Sequence, residues 1–217
     1  MLAAAGTLAA AALAQDTAAP PPGEAERLVF MSPHLARIEP PRTLHYRYLR
    51  QGGGEARLDD EASMALTHGA AGCCSVRGRY LSGEHALALP DIEQAVANPV
   101  VLYFLEHQVR LLQRRTGGSA NHFRRRIRQA MVEAPVDAAT IRWGGRELPA
   151  RTVRITPFVD DPYRARFERD AEAQYVFTLS DAVPGAVFEL RASLPGADAS
   201  VQTLTLAEPA SPASDKR

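Results

Sequence analysis

The sequence predicts an α+β domain in which an antiparallel β-sheet, open as a half-barrel, packs on a central αα-hairpin. Three features carry that expectation. Apolar and polar residues alternate with period two in short runs over 43–50, over 61–81 and again beyond 139. Apolar residues recur at helical spacing through the middle of the chain, 98–132. The turns between the runs are short and rich in glycine or proline, which favours antiparallel neighbours over parallel crossovers.

Taken in order, "TLHYRYLR" (43–50) sets Leu44, Tyr46 and Tyr48 on one face and His45 and Arg47 on the other, the pattern of a half-buried strand. "QGGGEARLDD" (51–60) is a glycine-rich loop without the Lys-Ser or Lys-Thr of a phosphate cradle. "EASMALTH" (61–68) and "CCSVRGRYL" (73–81) follow as strands, and Ser82-Gly83 turns into "EHALAL" (84–89) to complete a hairpin. "DIEQAVA" (91–97) reads as a short helix. Asn98 then caps a longer helix with Pro99 in its first turn, where a missing N–H costs nothing. That helix carries Val101, Leu105, Val109 and Leu112 on one stripe and ends at Gly117. Ser119 caps its partner, which places Phe123, Ile127 and Met131 four apart. A second hairpin turns at Gly144-Gly145, and Asp161 caps a short helix over 162–173. "QYVFTLS" (174–180), "AVFELRAS" (186–193) and "SVQTLTLA" (200–207) alternate as three strands, joined by "DAVPG" and "LPGAD" turns.

The ends point to export. Leu2 to Ala14 is a small-residue apolar run of signal-peptide length, too short to span a bilayer, although no Lys or Arg precedes it. Ala12-Leu13-Ala14 satisfies a signal peptidase, so residues 1–14 read as a signal peptide and the mature chain as periplasmic or secreted. Residues 15–27 read as a Pro- and Ala-rich linker, 28–207 as one domain and 208–217 as a disordered tail. The formal net charge is zero, which supplies no general field for nucleic acid. No later run is long and apolar enough for a transmembrane segment.

Cys73 and Cys74 are adjacent and follow His68. In a regular strand they point to opposite faces, Cys74 with Val76 and Tyr80, Cys73 with Ser75 and Arg77, and then serve as structural thiols. If the loop runs through Cys74, two alternatives open: a vicinal disulfide, or a Cu or Zn site with His68. No Cys-x-x-Cys or paired-histidine zinc pattern is present, and the leading expectation is no cofactor. Arg124, Arg125 and Arg128 lie off the apolar stripe of the second central helix; this is a solvated face, or a docking face for an anion or an envelope protein partner. No Gly-x-Ser-x-Gly elbow and no serine with triad partners can be read, so nothing in the sequence argues for an enzyme.

The segment "YVFTLSDAVPGAVFEL" (175–190) resembles a strand–turn–strand of the periplasmic lipoprotein-carrier-like (LolA-like) half-barrels. Those proteins wrap an antiparallel sheet around helices that plug its concave face. The resemblance implies a non-enzymatic binding domain for a hydrophobic small molecule or lipid, lined by Tyr46, Tyr48, Leu105, Phe177 and Phe188. The same side chains serve equally as an ordinary core. The helical hairpin at 98–132 is larger than the carrier pattern calls for.

Overall fold

A computed structural model describes residues 21–70 and 72–208. The expected signal peptide and most of the expected tail lie outside them. Eight antiparallel strands form one open, half-barrel-like sheet in the order β3-β2-β1-β8-β7-β6-β5-β4. The strands are β1 (Arg42–Gly52), β2 (Leu58–Gly69), β3 (Gly72–Tyr80), β4 (Val136–Trp143), β5 (Arg146–Ile155), β6 (Gln174–Leu179), β7 (Val187–Leu194) and β8 (Ser200–Leu206). Each half is a meander, and β1 pairs with β8 to join them, Tyr46 opposite Leu206 and Tyr48 opposite Leu204.

This order decides where the helices lie. β3 and β4 are consecutive in sequence yet occupy opposite edges. The chain between them must therefore cross the sheet, and α2 (Val100–Thr116) and α3 (Ala120–Val132) make that crossing. They cover the face that carries Leu44, Tyr46, Met64, Val76, Phe177 and Leu204, all buried. Gly117 closes α2 at φ 65°, and the Ser119 hydroxyl accepts from the His122 amide, as the sequence led one to expect. Phe123, Phe158 and Phe167 stack edge to face beneath α3, with centroids 5.3–6.1 Å apart. Gly78 on β3 lets α2 approach: a Cβ there would collide with the Tyr103 ring.

Four local expectations are corrected. Residues 91–97 form no helix. Ile92 instead exchanges two backbone hydrogen bonds with Val76 (2.8 and 2.9 Å), because β3 is an edge strand whose free amides need partners. The strand expected over 84–89 reduces to a turn at Gly83–His85 and one bridge from Leu87 to Tyr80. The helix expected over 162–173 is two 3-10 turns, Arg164–Arg166 and Glu168–Glu172, broken where Glu168 takes φ 49°. The N-terminal linker gives way at Glu24 to a helical turn, α1 (Glu24–Glu26), which runs into a wider turn (Arg27–Met31) and buries Ala25, Leu28 and Val29.

Tyr80 is only 1% exposed, and its hydroxyl has no partner among the described residues. Burial pushes its phenol well above the ordinary tyrosine range. Tyr80→Phe is therefore expected to raise stability by about 1 kcal/mol, since an unsatisfied buried hydroxyl is removed at constant shape. Urea unfolding checks this; a loss of stability would show that the hydroxyl has a partner in solution.

Candidate functional site

The five side chains expected to line one concave cavity do not meet in one. Tyr46, Tyr48 and Phe177 are at most 1% exposed. α2 packs directly on the sheet and fills the space over them. The Tyr48 hydroxyl donates to Gln202 Oε1 (2.9 Å), which also accepts from Gln108 Nε2 on α2 (3.0 Å). The ring of His107, on α2, stands 5.8 Å from Tyr48 and 5.4 Å from Tyr80. Phe188 packs edge-on against Trp143 of the β4–β5 hairpin, with centroids 6.3 Å apart. Leu105 alone of the five opens onto a groove.

That groove lies on the far side of α2 from the sheet and encloses about 630 Å³. Its walls are Phe30 and Met31 after α1, Leu89 and Ile92 beside β3, Leu102, Leu105 and Val109 of α2, and Ile127 of α3. Leu102, Leu105, Glu106 and Val109 stand at spacings of three, four and seven, so they share one stripe of the helix. Met31 and Leu102 are more than half exposed there. The sequence signal was present but misread: α2 is apolar on two arcs, one for the sheet and one for the groove. What the periodicity lacked was the far wall, which comes from α1 and the 86–92 segment.

The three arginines proposed as a docking face divide between two places. Arg124 and Arg128 stand at the groove, whereas Arg125 belongs to a cavity at the α2–α3 turn. Arg124 is held by Glu106 through both carboxylate oxygens (2.9–3.1 Å), and Glu106 also accepts from Arg110 Nε (3.1 Å). Arg128 makes no ion pair among the described residues and is exposed. Glu26 and Glu106 complete the charged rim.

Cys73 and Cys74 are bonded to each other as a vicinal disulfide. Burial alternates as a pleat requires, Cys74 inside and Cys73 outside. The pairing does not: Thr67 faces Ser75 while His68 faces Cys73, which leaves Cys74 as the extra residue of a β-bulge. The bulge interrupts the ladder at Cys74 while the inside–outside alternation of burial persists. His68 is exposed opposite Cys73. Among the described residues no three His, Cys, Asp or Glu side chains gather as a metal ion would require.

No family model matches the chain, and no curated protein matches it. Among solved structures it is similar to the Mycobacterium tuberculosis lipoprotein LppX, at 12% identity over 78% of this chain and 88% of that one, with a TM-score of 0.33. No helix among the described residues is long and apolar enough to cross a membrane.

Proposed function

We propose that this protein is an exported, non-enzymatic binding domain that takes the apolar part of a lipid-like ligand in the groove between α1, α2 and α3. The observation that carries the reading is the groove itself. Its volume of about 630 Å³ falls within the range of small-molecule sites, roughly 300–1,000 Å³, and its walls are overwhelmingly apolar. The exposed Met31 and Leu102 leave apolar surface that a ligand would cover. Arg128, exposed at the rim and without an ion pair among the described residues, suits a polar or anionic head, so the groove matches an amphiphile rather than a wholly apolar molecule. Export is supported by the apolar run ending in Ala-Leu-Ala.

Displacement of a fluorescent fatty acid tests the reading. The protein is expected to bind the probe, and Leu102→Glu, at a position that is already half exposed, is expected to weaken binding at least about tenfold by placing a charge on the apolar wall. Tyr48→Phe, within the core, is expected to leave affinity unchanged. No binding, or equal binding by Leu102→Glu, would overturn the groove as the ligand site. Probe release by a bound protein helix rather than by lipids would turn the groove into a protein-docking surface.

A further inference from the structure

A second cavity, of about 380 Å³, opens at the α2–α3 turn, beside the first turns of α3. It is lined by the turn residues Thr116 to Ser119, by Asn121, His122 and Arg125 of α3, and by Tyr163, Arg166 and Phe167. Two guanidinium groups line it and no carboxylate does. The Asp161 carboxylate, bonded to His122 of the lining, has a fully covered side chain and is already engaged. It accepts from His122 Nε2 (2.7 Å), Arg126 Nε (3.1 Å) and the Tyr163 amide (2.8 Å).

This arrangement holds Arg125 in place. A carboxylate can only accept, so His122 carries its proton on Nε2 and donates it to Asp161. A guanidinium can only donate, so His122 Nδ1 accepts from Arg125 Nη2 at 3.1 Å. The chain Asp161–His122–Arg125 thus anchors one cation to the buried floor and leaves its other N–H groups free. Arg166, on the far wall, has no hydrogen bond or ion pair from its side chain among the described residues and is exposed. The Ser119 hydroxyl accepts from the His122 amide and retains its own proton to donate. Tyr163, 54% exposed, stands edge-on to His122 at 5.6 Å and closes one side.

We infer that this cavity is a binding site for a phosphate monoester or inorganic phosphate, taken between Arg125 and Arg166. Two uncompensated guanidiniums match a doubly charged oxyanion better than a carboxylate, and their forked N–H groups fit phosphate oxygens bidentately. A phosphate monoester carries close to two negative charges at neutral pH. The site is separate from the apolar groove and stands whether or not that groove binds lipid.

The test is calorimetric titration of the full chain with inorganic phosphate at low ionic strength, where charge screening is weak. Saturable binding is expected, and Arg166→Gln is expected to weaken it at least about tenfold, while Arg142→Gln, at an exposed position on β4 outside the cavity, changes it less than about twofold. Arg125→Gln serves as a second variant with the same expected loss, and thermal unfolding of each variant confirms that it is folded. Co-sedimentation with phosphatidylcholine vesicles, with and without phosphatidic acid, separates the sources. Binding to phosphatidic acid that Arg166→Gln abolishes assigns a lipid headgroup; phosphate binding without vesicle binding assigns a soluble phosphate. No saturation by phosphate, or equal losses in Arg142→Gln and Arg166→Gln, overturns the site.

Discussion

Asn98→Ala is expected to cost about 3–4 kcal/mol of stability, because three hydrogen bonds at a buried junction are lost together. Asn98 is 2% exposed. Its Nδ2 donates to the Tyr46 hydroxyl (2.8 Å) on β1 and to the Gly185 carbonyl (3.0 Å). Its Oδ1 accepts from the Val100 amide (3.2 Å) and so caps α2. Its own amide donates to His34 Nδ1 (3.1 Å), whose Nε2 donates in turn to the Leu28 carbonyl (2.8 Å). One residue thus ties the start of α2 to β1 and to the Val-Pro-Gly turn through its side chain, and to the segment after α1 through its backbone amide. That turn is closed by Ala186 N donating to Val183 O (3.1 Å), with Gly185 at φ 71°. A Cβ on Gly185 would sit 2.8 Å from Asn98 Nδ2, so glycine is required both for the conformation and for the contact. Urea unfolding of Asn98→Ala, Tyr46→Phe and the double variant measures the junction. A coupling of about 1 kcal/mol between the two positions is expected. A loss below about 1 kcal/mol in Asn98→Ala would show that water replaces the lost partners.

The second large effect is acid sensitivity centred on His107. Burial, reinforced by Arg114, Arg50, His85 and Arg115, pushes its imidazole down to about 4. The unfolded chain titrates near the ordinary value of 6.5. Between those two values the unfolded state binds the extra proton, so stability rises with pH across that window. The contribution is fully present above about 6.5 and is lost as pH falls towards 4, an effect of order 3 kcal/mol. His34, lowered chiefly by burial, acts in the same direction. His107→Gln should therefore flatten the stability profile between pH 6.5 and 4.5 relative to the unaltered protein, whatever its stability at pH 7.5. Parallel profiles from urea melts across that range would refute the assignment.

Much of the fold was legible because strand alternation and helix capping are local properties. The alternation of Leu44, Tyr46 and Tyr48, the caps at Asn98 and Ser119, and the Val-Pro-Gly turn all act within a few residues, and the structure keeps each of them. Segment 91–97 was misread because its fate depends on the free edge of β3, which no local pattern displays. Cys74 is buried and Cys73 exposed, as the pleat predicts; the bulge at Cys74 was not legible, because a bulge is defined by the partner strand.

The candidate sites divide along the same line. The sequence by itself determined the fold class, the αα-hairpin, one apolar stripe of α2 and the arginine-rich face of α3, since each follows from side-chain spacing along one element. Only the tertiary structure decided that the sheet's inner face is filled, that Leu102 and Met31 line one groove, and that Arg125 joins Arg166 in one cavity while Arg128 lines the other. Cavities are bounded by elements distant in the chain. Their positions follow from how β3 and β4 reach opposite edges and force the helices across the sheet, a relation that exists only once all eight strands have paired.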